Sequence, residues 1–227
     1  MQTQSGLLLV DKPAGISSFG VVGRVRWQLS HVARKKVKVG HTGTLDPFAT
    51  GLMILMVGDY TKRAGEFSKL DKTYEATVCL GETSTTGDPE GDITPRSDRQ
   101  PTREEVEAAV AQFRGEITQT PPAYSAIKIN GQRAYKLARA GQSVEMPSRQ
   151  VTVSSLEIID YTYPELKICC DVSSGTYIRT LAADIGEVLG TGAYTSQLRR
   201  TRVGKWHARD AVPLSDEQDY SAALRQL

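Results

Sequence analysis

The sequence predicts an α+β fold on a mixed, largely antiparallel central sheet flanked by helices, and three observations carry that expectation. Leu52-Met53-Ile54-Leu55-Met56-Val57 is a continuous apolar run of the kind that fills a strand buried on both faces. Thr73 to Leu80 alternates instead, with Tyr74, Ala76, Val78 and Leu80 on one face and Thr73, Glu75 and Thr77 on the other. Helical patterns are interspersed with such strands without strict βαβ alternation, which argues against an all-parallel sheet.

Taken in order, Leu7 to Val10 reads as a buried strand and Asp11-Lys12-Pro13-Ala14-Gly15 as a turn. Ser17 or Ser18 caps a helix whose apolar face is Val21, Val25 and Leu29, with Arg24 and Arg26 off that face. Asp59 is placed to cap a short helix through Lys69. Gly81 to Gln100, rich in Gly, Asp and Pro, reads as a long loop. Thr102 and Glu105 form a capping box before a helix with Val106, Val110 and Phe113 on one face. Pro121-Pro122 breaks the chain. Ser125 to Ile129, the turn Asn130-Gly131 and the basic stretch Arg133 to Arg139 then form a small strand, turn and helix unit.

Val151 to Ile159 and Leu166 to Val172 are a strand pair. A helix starts at Ser173-Ser174-Gly175, runs along Ile178, Leu181, Ile185 and Val188, and ends at Gly190. Arg179 falls in its first turn, where the helix dipole disfavours a cation, so it is either held there by a specific anionic partner or is a plain surface arginine. Leu198 to Trp206 is the last strand.

Composition narrows the function. The 227 residues carry 28 basic and 26 acidic side chains, a formal charge of +2, so distribution matters more than net charge. Arg34-Lys35-Lys36-Val37-Lys38 and the group Arg199, Arg200, Arg202, Lys205 and Arg209 favour a polyanionic partner. The 3 cysteines form no disulfide or metal spacing and suit a reducing, cytoplasmic setting. No apolar run is long enough to cross a membrane, and no signal peptide is read. The 3 histidines are too far apart for a zinc motif, and neither a P-loop nor a G-x-S-x-G elbow is present. No cofactor and no metal are expected.

The stretch Gly40-His41-Thr42-Gly43-Thr44-Leu45-Asp46-Pro47-Phe48-Ala49-Thr50-Gly51 holds a single carboxylate among glycines and small residues. Pro47 biases Asp46 toward an extended backbone, so Asp46 sits on a stiff loop ahead of the apolar strand. By itself, Asp-Pro also fits a simple turn.

This stretch resembles the catalytic loop of the TruB-type tRNA pseudouridine synthases. Further matches follow in that family's order: Asp11 to Ser18, Asp71 to Tyr74, Pro121 to Lys128, Ser174 to Thr180 and Leu198 to Gly204. The resemblance spans nearly the whole chain. It implies the pseudouridine synthase fold over residues 1–215, a thumb-like insertion at about 122–148, and a tail at 216–227 where bacterial members usually continue into a PUA-type RNA-binding domain.

It also implies isomerisation of uridine 55 in the tRNA T-loop, by flipping the base out of the loop. Asp46 is then the nucleophile, acting either at C6 of the base or at C1′ of the ribose. A nucleophilic carboxylate must be ionised, and a neighbouring arginine lowers its pKa by roughly 1–3 units. The family pattern gives that role to Arg179, which Asp88 shares. Tyr74 stacks on the base and is a candidate to take the C5 proton. Tyr177 is an orienter or an alternate base, His41 fills the space the base vacates, Leu198 walls the pocket, and Lys12 holds phosphate. The expected partner is the tRNA T-arm, bound by a monomer. A non-catalytic tRNA-binding or chaperone module is the alternative reading. A nucleoside hydrolase would need a second carboxylate, which Asp88 could supply.

Overall fold

The structure, a computed structural model, describes residues 5–129 and 131–226; Asn130 of the expected turn lies outside them. The chain forms two compact units, one of Met1–Tyr74 with Arg199–Leu227, the other of Glu75–Leu198.

The first unit contains β1 (Gly6–Lys12), α1 (Ser18–Ala33), β2 (Val39–His41), β3 (Thr50–Val57), a 3-10 stretch at Gly58–Arg63, α2 (Ala64–Ser68) and the start of β4 (Lys72–Leu80). The second contains β5 (Glu82–Ser84), β6 (Ile93–Pro95), α3 (Arg103–Ala111), β7 (Gly115–Gln119), β8 (Lys128–Ile129), β9 (Gln132–Arg133), α4 (Ala134–Arg139), β10 (Arg149–Thr162), β11 (Glu165–Val172) and α5 (Ile178–Val188). β12 (Ala193–Val203) leads back into the first unit, which ends with β13 (Trp206–His207) and β14 (Val212–Pro213).

β3 is the spine of the first unit. It runs antiparallel to β1, from Gly6 opposite Val57 to Lys12 opposite Gly51. Its other edge is divided. β2 takes one end, with His41 opposite Leu55, and β12 takes the other in parallel, with Arg199 opposite Thr50 and Arg200 opposite Gly51. Paired on both edges and covered on both faces, the apolar run Leu52–Val57 is wholly buried. Leu7, Leu9, Leu52, Ile54, Met56, Phe67 and Val203 form one core cluster. The Ser17 hydroxyl caps α1 by accepting from the Gly20 N–H at 3.1 Å, and Val21, Val25 and Leu29 are its buried face. Tyr220 is buried, and Leu7 of β1 and Arg225 exchange backbone hydrogen bonds of 2.9 and 2.8 Å.

In the second unit the strand order is β12, β4, β11, β10, β7. β10 and β11 are an antiparallel hairpin with two register shifts, and β7 extends it from Arg149 opposite Gln119. The sheet is mixed as expected, with parallel pairing at β1–β14 and β3–β12 beside antiparallel β1–β3, β2–β3, β10–β11 and β7–β10. Both bonds of the Thr102–Glu105 capping box are made.

Several local expectations are corrected. Lys12 belongs to β1 rather than to a turn. Asp59 is not a cap: it lies inside the 3-10 stretch and pairs with Lys62 at 3.0 Å. Gly81 to Gln100 is not one loop but holds the β5–β6 hairpin, whose short polar strands carry no apolar alternation. α5 begins at Ile178, not at Ser173, and Val188 is 49% exposed. Ten residues at about 100° each leave Val188 about 80° round the helix from Ile178. The last strand starts at Ala193 and turns into β13 through Gly204.

Gly51 has φ +104°, and a Cβ there would lie 2.3 Å from the carbonyl oxygen of Arg200. The close β3–β12 pairing therefore requires glycine. Gly51→Ala is expected to lower stability by at least about 2 kcal/mol, read from urea denaturation followed by circular dichroism.

Candidate active site

The first unit holds Lys12, His41, Asp46 and Tyr74; the second holds Asp88, Tyr177, Arg179 and Leu198. Each group is built from its own surroundings.

Asp46 lies half-buried on the loop between β2 and β3, at the start of a turn in which the Ala49 N–H donates to its carbonyl at 3.2 Å. A glycine-rich loop exposes its peptide groups, and here side chains from three directions satisfy them. From α1, the Ser18 hydroxyl donates to the Leu45 carbonyl and accepts from the Leu45 N–H, both at 2.8 Å. From the end of β1, the Lys12 ammonium donates to the carbonyls of Pro13 at 2.9 Å and Pro47 at 3.0 Å. From β12, the Arg200 guanidinium donates to the carbonyls of Leu52 at 2.8 Å, Gly43 at 3.1 Å and Thr44 at 3.5 Å. The backbone on either side of Asp46 is thereby fixed.

Two expectations change. Lys12 is 0% exposed, so its ammonium cannot reach a phosphate; it is a strut under the Asp46 loop. Arg200 is 2% exposed and has the same kind of role, so it leaves the expected phosphate-binding cluster. Arg199 of that cluster is ion-paired with Asp11 at 2.8 Å. Arg-Arg in a strand gave no sign that one guanidinium turns inward.

His41 ends β2, opposite Leu55. Tyr74 is 9% exposed on β4, on the face the alternation predicts. Two residues earlier, Lys72 is buried and donates to the carbonyls of Ser68, at 2.8 Å, and Leu70. Burial, reinforced by the Arg200 charge and partly opposed by Asp71, pushes its ammonium down to about 8.

In the second unit Arg179 and Asp88 come together. Both side chains are 4% exposed, with Nη1 2.9 Å from Oδ2. Nη1 also donates to the Thr86 carbonyl and Nη2 to that of Tyr124, at 2.8 and 2.9 Å. The second carboxylate oxygen of Asp88 accepts from the Thr86 hydroxyl at 2.6 Å and the Glu90 N–H at 3.0 Å. This is the anionic partner that a cation in the first turn of α5 calls for. The β5–β6 hairpin thus presents Asp88.

Tyr177 is the N-cap residue of α5, and its backbone is gripped by Gln119, a residue that sequence reading passed over. The Gln119 amide oxygen accepts from the Tyr177 N–H at 3.0 Å and its nitrogen donates to the Tyr177 carbonyl at 3.2 Å. A lone glutamine in a short strand carries no signal of this. The Arg149 guanidinium sits 5.0 Å from the Tyr177 ring centroid, a cation–π contact. Leu198 is buried on β12.

The family model described as "TruB family pseudouridylate synthase (N terminal domain)" matches residues 30–178, and that described as "tRNA pseudouridylate synthase B C-terminal domain" matches 179–226. A tRNA pseudouridine synthase B of Mycobacterium sp. (strain KMS) is 46% identical over 96% of this chain and 75% of that protein. The protein of the same name from Pseudomonas fluorescens is 45% identical over 93% of this chain and 68% of its own length. Among solved structures, a chain of a Cbf5-Nop10-Gar1 complex superposes with a TM-score of 0.74 at 25% identity, covering 99% of this chain and 60% of that one. Against that structure the chain spans only about three-fifths of the length.

Asp88→Asn keeps the shape but leaves the Arg179 charge buried without its counter-charge, and is expected to destabilise the protein by about 3 kcal/mol in urea denaturation. Lys72 gives a pH signature. Between about pH 8 and 10.5 the unfolded lysine is protonated while the folded one is not, so its contribution to stability rises with pH across that window. Lys72→Met is expected to lack that rise, seen by comparing urea midpoints of the two proteins at pH 7.5, 8.5 and 9.5.

Proposed function

The chain belongs to the TruB family of pseudouridylate synthases and is an enzyme that pseudouridylates tRNA; from that premise we propose that it isomerises uridine 55 of the T-loop, with Asp46 as nucleophile. The observation that carries the reading is the clamped loop. Ser18, Lys12 and Arg200 fix the backbone around the one carboxylate of that stretch, as a reacting group held in one position requires.

The reaction breaks the bond between C1′ and N1 of uracil, turns the detached base, joins C1′ to C5 and removes the C5 proton. The reading assigns attack to Asp46, at C6 or at C1′. Tyr74 offers a ring to stack on the flipped base and a hydroxyl to take the C5 proton. Stacking returns about 1–3 kcal/mol, comparable with the cost of flipping. His41 occupies the space the base leaves, Tyr177 orients the site, and Leu198 supplies an apolar wall. Arg179 provides positive charge for the nucleophile, and Asp88 keeps its guanidinium in place.

The basic unit around β8, β9 and α4, at about 122–148, is read as a thumb over the T-arm, with Lys136 among its cations. Residues 1–215 are taken as the catalytic domain and 216–227 as a C-terminal tail. The enzyme is read as a monomer working in the cytoplasm. No helix of the described residues is long and apolar enough to cross a membrane.

The test is tritium release from a T-arm hairpin carrying uridine labelled at C5, with RNA binding measured in parallel. Asp46→Asn is expected to bind the hairpin as the wild type does and to lose release by at least about 10³-fold. Equal release from both proteins would remove Asp46 from the mechanism. Free uracil as the product would make the enzyme a hydrolase.

A further inference from the structure

α1 buries one face in the core of the first unit and leaves the opposite one bare. Phe19, Gly23, Trp27 and His31 stand four residues apart and form a single ridge on that outer face. Phe19 is 70% and Trp27 67% exposed. The His31 ring stacks on Trp27, with centroids 5.6 Å apart and planes 13° from parallel. Beside the ridge is an open groove of about 550 Å³, lined by Gly23, Arg26, Trp27, Ser30, His31 and Lys36.

We propose that this groove binds an unstacked nucleobase of the tRNA, separate from the reacting uridine. Trp27 is the stacking surface, and Arg26 and Lys36 hold the flanking phosphates. The inference rests on tRNA being the substrate, and on none of the catalytic assignments.

Three features of the groove point to that occupant. First, a flat aromatic face beside cations is the combination that holds single-stranded nucleic acid, and the His31 stack fixes the indole plane in advance. Second, charge is sorted along the helix. The neighbouring groove shares Trp27 and His31 but is bordered on its Gln28–Val32 side by Asp216, Glu217 and Asp219, and Arg24 is spent on Asp216 at 2.9 Å. No carboxylate lines the Gly23 groove, and among the described residues Arg26 and Lys36 form no ion pair. An anion is therefore directed to one side of α1.

Third, Gly23 has no reason in the fold. It is helical, and a Cβ there would meet nothing within 4 Å. Mid-helix glycine is unfavourable relative to alanine, so its absent side chain serves the groove rather than the packing.

The experiment uses the full chain with Trp206→Phe, which leaves Trp27 the sole one of its 2 tryptophans. Full-length tRNA is titrated while fluorescence is followed, and affinity is measured across a salt series. Quenching of Trp27 is expected. In the otherwise unaltered chain, Trp27→Ala and Gly23→Glu should each weaken tRNA binding about 5- to 100-fold. Release of tritium at saturating tRNA should stay unchanged. Gly23→Glu should melt no lower than the wild type, which separates a filled groove from a damaged fold. Arg26→Ala with Lys36→Ala should reduce the slope of log affinity against log salt by about 1–2.

Unquenched fluorescence with unaltered affinities would overturn the proposal. So would a Trp27-dependent change in oligomeric state with RNA affinity intact, because the face would then join copies of this chain. Failure of the wild type to release tritium would count against the substrate reading instead, and the fluorescence titration would still decide this one.

Discussion

The Asp46 loop depends on one buried guanidinium. Leu52 turns its carbonyl oxygen into the core, Gly43 and Thr44 turn theirs toward the same guanidinium, and buried groups of this kind are costly unless something donates to them. Arg200 reaches all of them from β12, and it can do so because β12 lies against β3 at Gly51 with no side chain between. The guanidinium fork serves several oxygens from one stem, which a lysine could not match. Lys12 and Ser18 complete the arrangement from β1 and α1. Three elements of the first unit thus meet on one loop, and the carboxylate it carries gains a fixed backbone.

The second unit solves a different problem. A cation in the first turn of α5 opposes the helix dipole and is deeply buried. It is tolerated because Asp88 neutralises it and because Nη1 and Nη2 of the arginine and the second oxygen of Asp88 find the Thr86, Tyr124 and Glu90 backbones and the Thr86 hydroxyl. Such a pair adds little net stability over an apolar one, but it holds a guanidinium in one orientation.

Much of this was legible in the sequence. The Leu52–Val57 strand, the β10–β11 pair, the Thr102–Glu105 cap and the α1 apolar face follow from periodicity and capping chemistry, both local properties. Asp88 and Arg179 were linked by family pattern and by the unusual length of the loop that carries Asp88. What the sequence hid is non-local. Lys12 and Arg200 look like any basic residue, and nothing nearby in the chain tells that their partners are carbonyls 35 and 148 residues away. The β5–β6 hairpin was missed because its strands bury no apolar row, and Gln119 because one polar residue in a strand has no pattern. The open face of α1 was passed over for a related reason: attention went to the residues that the helix buries.

The first unit is discontinuous. Its opening segment ends at Tyr74 and its closing one begins at Arg199, whereas the second unit is a single stretch, Glu75–Leu198. On a ribosome, which delivers the chain from its N-terminus, the second unit has all its residues before the first one does. Until Arg200 emerges, Leu52 and Gly43 have no donor from β12, and the loop that carries Asp46 cannot be locked. The nascent chain therefore holds Asp46 on slack backbone while the rest of the enzyme is made, and this loop is among the last parts to set.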